Sequence, residues 1–418
     1  MRKALLNDLA IFGGQVAFEE RLYVGRPNIG NRKRLMERID SILESRWLSN
    51  DGPLVTEFEQ KVAKYVGVKH CIATCNATVA LEILIRALDL QGEVIIPAFT
   101  FIATAHALEW QQITPVFCDI EPRQHLLDPS RVEQAITSRT TGIIGVHLWG
   151  QICDVEALSD IANRHRLKLL FDAAHAFGST YKNQKVGNFG DAEVFSFHAT
   201  KFINTLEGGA VVTNDDELAR KTRLMKNFGF TYWDEVSYVG TNGKMNEISA
   251  AMGLTSLESI QDFIAINYEN YKRYTELLAP IPGIRMLQYD TGETNNYQYI
   301  VVEIDDEQTG ISRDELLQVL WEDNVIARRY FHPGCHRMEP YLSKYPNAGS
   351  TLPVTEEKSK RVLVLPTGTT VCSEDITVIC DIIAIALAHP KQLKERLRTT
   401  QPPFNRPVEV SVADAHKN

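Results

Sequence analysis

"TGIIGVHLWGQICDVEALSDIANRHRLKLLFDAAHAFG", residues 141–178, decides the fold. Its first ten residues form a near-continuous apolar run and read as a buried strand. "VEALSDIANRHR" reads as a helix, and "LKLLFDAAHAFG" as a second strand ending near Asp172. Apolar strands separated by helices belong to a largely parallel sheet covered on both faces.

Working outward, the same alternation holds. "HCIATC", "EVIIPAF", "TPVFCDI", "AEVFSFHA" and "GGAVVTN" read as further strands. "ATVALEILIRALDL", residues 103–108 and "PSRVEQAI" read as helices between them. Upstream, "NRKRLMERIDSILESRW" and "LVTEFEQKVAKYVG" read as amphipathic helices, and residues 1–30 as an irregular arm. After residue 245 the pattern changes. Residues 246–281 read as helical for most of their length. "YQYIVVEID", a helix over 312–322, "NVIARRYF" and a helix over 373–388 then suggest a smaller α+β unit. The expected division is an arm over 1–30, a large α/β domain over 31–265, a small C-terminal domain over 266–395 and a loosely ordered tail over 396–418.

Composition narrows the function. The 418 residues are 44% hydrophobic and 23% charged, with a formal net charge of -9 and no lysine/arginine block. A nucleic-acid or anionic-membrane partner needs a basic face, which this chain lacks. No apolar run approaches the ~20 residues that span a bilayer, and the N-terminus does not read as a signal peptide. Seven dispersed cysteines read as reduced thiols rather than a metal site. A soluble cytoplasmic protein without a metal is expected.

Two residues carry the chemistry. Asp172 terminates a strand, and open parallel sheets bind ligands beyond the carboxyl ends of their strands. Lys201 lies in "SFHATKFINTLEGGA", residues 196–210, among apolar neighbours. A desolvated lysine loses preference for its charged form and becomes nucleophilic near neutral pH, as a Schiff-base lysine requires. An ordinary alternative exists for each: a strand-end aspartate caps turns, and a lysine snorkels to water. Together they match the needs of pyridoxal 5'-phosphate (PLP), which takes a lysine and an acid beside its ring nitrogen. In "CNATVALEI", Ala77 and Thr78 open a helix whose free N–H groups favour a phosphate. Ser196 offers another hydroxyl.

These residues sit in recognisable motifs. "CNATVALEI", "PAFTFIATAHA", "FDAAHAFG", "FSFHATKFINTLEGGA" and "GTNGKMNEISAAMG" resemble the DegT/DnrJ/StrS family of PLP-dependent sugar aminotransferases, in the family's order and spacing. The resemblance implies the type I PLP aminotransferase (aspartate aminotransferase) fold, with a mainly parallel seven-stranded sheet and a smaller C-terminal α+β domain. It implies that Lys201 binds PLP covalently and shuttles the proton, and that Asp172 pairs with the ring nitrogen. His175 would contact the ring hydroxyl, Phe101 would stack on the ring, and Ala77, Thr78 and Ser196 would bind the phosphate. Asn242 would reach the phosphate from a second subunit, making a homodimer with shared active sites. Lys244 stands where the family often has arginine.

"GRPNIG", "RWLSNDGP", "TGIIGVHLWG" and "RRYFHPGCHRMEPY" are most similar to the branch that aminates C4 of dTDP-4-keto-6-deoxy-D-glucose, with L-glutamate the expected donor. On that resemblance Tyr330, Phe331, His332 and His336 are candidates for the sugar pocket. C3 amination, another nucleotide sugar or a cyclitol ketone is the alternative. Two other classes are a PLP-dependent deoxysugar dehydratase and a non-catalytic sensor. The dehydratase subgroup carries histidine in place of the lysine, so Lys201 counts against it.

Overall fold

The computed structural model describes residues 2–400. Seven strands form the large sheet: β1 (His70–Thr74), β2 (Glu93–Pro97), β3 (Thr114–Cys118), β4 (Thr140–Val146), β5 (Lys168–Asp172), β6 (Ala192–Ser196) and β7 (Gly209–Thr213). Their order across the sheet is β1-β7-β6-β5-β4-β2-β3. Six are parallel, and β7 runs antiparallel between β1 and β6.

The apolar runs are explained by burial on both faces. Ile95, Ile143, Leu169 and Phe171 enter one core, while Val94, Ile96, Ile144 and Leu170 enter the core on the opposite face. Neighbouring residues point to opposite faces of a strand, so both must be apolar. Each such side chain contributes roughly 1.5–3 kcal/mol of burial.

A second sheet follows, formed by β8 (Ile284–Met286), β9 (Ile300–Ile304) and β10 (Val362–Leu365), all antiparallel. It is a wall between two cores. Val301, Val362 and Val364 face the large sheet's core, whereas Ile300, Val302, Leu363 and Leu365 face a separate C-terminal core. The expected helix over 246–281 is two helices, Glu247–Glu258 and Ile260–Leu278, which meet at Ser259. The second crosses the anticipated boundary at 265. Ile260 and Phe263 lie in the large sheet's core, and Tyr274 and Leu278 in the C-terminal one.

The N-terminal arm differs from the irregular segment expected. Leu9, Ile11, Ala17 and Leu22 are built into the C-terminal core. Leu22–Tyr23 pairs in parallel with Val325–Ile326. A buried ion pair fastens the arm: Lys3 Nζ lies 2.9 Å from Asp323 Oδ1, both side chains almost wholly inaccessible. Lys3 also donates to the carbonyls of Asp8 and Gln15, while Asp323 accepts the N–H groups of Ala10 and Ala17. Every charge is thus hydrogen-bonded, the condition for burying one.

Arg396 and Leu397, placed at sequence level in the tail, complete the helix Pro390–Leu397; residues 401–418 of the tail lie outside the described residues. Among the described residues no single helix is long and apolar enough to cross a membrane.

The Lys3 pair generates a prediction. Asp323→Ala strands a buried ammonium and two backbone donors. It should cost about 3–5 kcal/mol of stability, read as a lower denaturation midpoint in urea; an unchanged midpoint would mean the clasp carries no stability.

Candidate active site

The carboxyl ends of β4, β5 and β6 lie side by side, because Asp172 is in register with Val146 and Val194. Ser196, the last residue of β6, faces Gly209, the first of β7. A Cβ on Gly209 would lie 2.6 Å from the amide nitrogen of Ala77. Glycine there lets β7 pass against the start of the helix Ala77–Ala87, which brings Ser196 and Ala77 together.

That helix is capped by Asn76, whose Oδ1 accepts the N–H of Val79 at 2.8 Å. The cap is thus Asn76, one position before Ala77, and the Thr78 side chain is not used for it. Among the described residues the N–H groups of Ala77 and Thr78 have no acceptor, and the Thr78 hydroxyl has no partner. A helix start with spare donors, a spare hydroxyl and Ser196 beside it suits a phosphate.

Asp172 is buried. Its Oδ2 accepts from Thr104 Oγ1 at 2.9 Å and its Oδ1 from the N–H of Ala174 at 3.1 Å. Burial pushes its pKa above the usual carboxylate value, and these two donors and Lys201 hold it back. Lys201 follows β6 in a loop pinned by the buried side chains of Phe197, Phe202 and Ile203. Part of the residue remains accessible, while its amine is enclosed. Burial lowers the amine from 10.5 to about 8, opposed by the charge of Asp172. The amine is therefore easily deprotonated and yet reachable, which answers why a lysine stands in an apolar run. Its hydrogen-bond partner is Tyr299 Oη at 3.2 Å.

His175 is buried, and burial followed by the Lys201 charge holds it well below its usual pKa. Its neutral ring has Nδ1 facing the N–H of Trp149 at 3.5 Å, which leaves Nε2 as a donor. Phe101 follows β2 and caps the helix Ile102–Glu109. The residue is 58% exposed and lines a cavity of about 400 Å³ with Trp321, Arg328, Tyr330, Phe331 and His332. Lys201, Asp172, His175 and Ser196 do not line this cavity.

Two sequence-level candidates lie elsewhere. His336 does not line this cavity: it is buried, with Nε2 2.8 Å from Glu356 Oε1, because the turn after Gly334 directs it into the packing around Phe117. Asn242 is exposed, held by a backbone bridge to Asn227, and its side chain has no hydrogen bond among the described residues.

Sequence reading missed Tyr299, Thr104 and Asn28. Thr104 sat in a quoted motif without a role. Asn28, in "GRPNIG", joins three segments. Its amide donates to Phe202 O at 3.2 Å, its Oδ1 accepts from the N–H and hydroxyl of Thr369, and its carbonyl accepts from Asn204. Gly25, at φ +77, lies against Thr200; a Cβ there would be 2.9 Å from that of Thr200. The arm therefore braces the Lys201 loop. No local signal in the sequence announces this.

The arrangement fits PLP: an enclosed amine, a buried acid with two donors behind it, a neutral histidine and a phosphate-sized set of donors. Comparison with known proteins agrees. The profile of the DegT/DnrJ/EryC1/StrS aminotransferase family matches residues 30–384. A dTDP-4-amino-4,6-dideoxy-D-glucose transaminase of Shigella dysenteriae is 35% identical over 367 residues, covering 87% of this chain and 99% of that one. A GDP-perosamine synthase of Caulobacter vibrioides is 35% identical over 363 residues, covering 85% and 95%. A crystal structure of DesI with its TDP-sugar product matches at a TM-score of 0.90 and 50% identity, over 94% of this chain and 100% of that one. The fold is the type I PLP aminotransferase fold.

The depressed amine gives a pH prediction. As pH rises through about 8 the folded protein releases the Lys201 proton, while the unfolded chain keeps it until about 10.5. Over that window the unfolded state binds more protons, so stability rises with pH. Cofactor-free Lys201→Met should lack this rise. Its stability advantage over the parent should be largest below pH 8 and gone above pH 10.5, as read by urea melts across pH; parallel curves would contradict it.

Proposed function

Because the chain belongs to the DegT/DnrJ/EryC1/StrS aminotransferase family, we propose that it transfers an amino group from L-glutamate to C4 of a nucleotide-linked 4-keto-6-deoxy sugar, dTDP-4-keto-6-deoxy-D-glucose first among them. The observation that carries the chemistry is the enclosed Lys201 amine, brought to about 8 beside a buried acid. The sugar is supported by the 50% identity to DesI over nearly the whole chain and by the dTDP-sugar transaminase of Shigella dysenteriae.

When bound, PLP supplies an electron-accepting ring conjugated to the carbon that must lose its proton. Each site residue has a task in this reading. Lys201 takes the α-proton from the amino donor and returns it to a second carbon; with the keto sugar it moves the proton in the reverse sense. One base can serve both directions because the amine can both take up and give back the same proton. Asp172 balances the positive charge on the ring nitrogen, and Thr104 and Ala174 orient its carboxylate. Ala77, Thr78 and Ser196 would hold the phosphate. Neutral His175 would donate to the ring hydroxyl, and Phe101 would cover the ring face. Tyr330, Phe331 and His332, which share a cavity with Phe101, would contact the sugar.

Asn242 completes the phosphate site of a second copy, so the working unit is a homodimer. The hairpin beside it supports this: Phe228, Phe230, Tyr232, Trp233 and Val236 are all exposed, an apolar surface of the kind that marks an interface. The seven free cysteines suit the reducing cytoplasm, where we place the activity.

Purified protein should lose its visible cofactor band on addition of glutamate. With dTDP-, UDP- and GDP-linked 3- and 4-keto sugars, mass spectrometry should then find an aminated product first with the dTDP-4-keto sugar. The GDP arm tests the likeness to GDP-perosamine synthase. Lys201→Ala should abolish turnover. No aminated sugar in any arm would sink the nucleotide-sugar reading.

A further inference from the structure

The buried amine of Lys201 poses a problem that the motifs do not solve. Each time it takes a proton it becomes a buried ammonium, and it then needs an acceptor. Asp172 is the carboxylate whose charge reaches it, but no hydrogen bond joins the two among the described residues. From the other side His175 is neutral and can only donate from Nε2. On the lysine's own loop, His198 is turned to Glu207 at 3.5 Å. Tyr330 is a further ring away, its centroid 6.3 Å from that of Tyr299. The partner within hydrogen-bond distance is Tyr299 Oη at 3.2 Å.

Tyr299 is rigidly placed. It is buried directly before β9, its carbonyl accepts from Tyr289 Oη at 3.0 Å, and its ring packs 4.3 Å from His175 and 5.4 Å from Trp149. Among the described residues nothing accepts its hydroxyl proton. The phenol is thus free to serve either state of the amine: it accepts from the ammonium and donates to the lone pair.

We propose that Tyr299 is a positioning residue for transamination, its hydroxyl holding the ε-amine of Lys201 whenever that amine is not bonded to a carbonyl carbon. This rests on the aminotransferase reading above. In the step served, a substrate C–H bond breaks, its electron pair stays behind, and an N–H bond forms on Lys201. Tyr299 accepts a hydrogen bond from the new ammonium until the proton is delivered to the second carbon. Bonds to a charged donor are the stronger kind, so the phenol favours the charged form.

The test loads full-length protein with pyridoxamine 5'-phosphate, which leaves Lys201 free. Trace acetylation by acetic anhydride from pH 6 to 11 is then read at the Lys201 peptide by mass spectrometry. Tyr299→Phe keeps the ring and its packing. Its labelling midpoint should fall by about one unit. In turnover its kcat should fall about 10- to 100-fold, with KM for both substrates within about threefold. Tyr274→Phe removes a buried hydroxyl that bonds Pro366 O in the C-terminal core and should leave the labelling midpoint unchanged. A Tyr299→Phe midpoint that coincides with the parent's overturns the proposal, and so does a shifted midpoint with unchanged kcat. Labelling needs no sugar, so it decides the role of Tyr299 even where the nucleotide-sugar reading fails.

Discussion

An amine kept out of water beside a carboxylate kept out of water is the constraint around which this molecule is arranged. Neither group would accept that position alone. Burial pushes Lys201 toward neutrality and Asp172 toward protonation, and each moderates the other. Such a pair is weak support for folding, because desolvation consumes most of the mutual attraction. Its value is chemical: it leaves a base and an acid close to the protonation states that a pyridine cofactor needs.

Holding that pair takes more than the large sheet. The sheet delivers Asp172 and Ser196 at neighbouring strand ends, and Gly209 lets the phosphate-binding helix approach them. The lysine, however, sits in a loop, and loops are held by what packs against them. Here the packing comes from both ends of the chain. Tyr299 arrives from the start of the small sheet's central strand, and the sheet's other face belongs to a different core. Asn28 and Gly25 arrive from the N-terminal arm. The site is therefore a junction of three parts of the sequence, and its geometry depends on all three.

This explains what could be read without coordinates. The parallel sheet was legible because a strand buried on both faces leaves no room for polar residues, and the apolar runs recorded that. Lys201 and Asp172 were legible because each breaks its local pattern: a lysine inside an apolar stretch, an acid at a strand end. Thr104, Asn28 and Tyr299 break no pattern. A threonine on a helix, an asparagine in a turn and a tyrosine before a strand are ordinary where they stand. Their importance comes from partners 68, 174 and 98 residues away. His336 shows the opposite case. It stood in a distinctive motif, yet the backbone turned it toward Glu356 and away from the cavity. The arm looked irregular because its few apolar residues have no period of their own; they fill gaps in a core built by later elements.

The clasp between Lys3 and Asp323 has a consequence for how the protein comes into being. Asp323 receives the amides of Ala10 and Ala17 at sequence separations of 313 and 306 residues. A ribosome adding about 5–20 residues each second needs roughly 15–60 s to span that gap. During that interval the opening segment has no lodging, and its leucines and isoleucine stand exposed to whatever the cell offers. Leu9, Ile11, Ala17 and Leu22 are thus made long before the core that houses them, and Asn28, which braces the catalytic loop, gains its Thr369 partner only once that residue has been added.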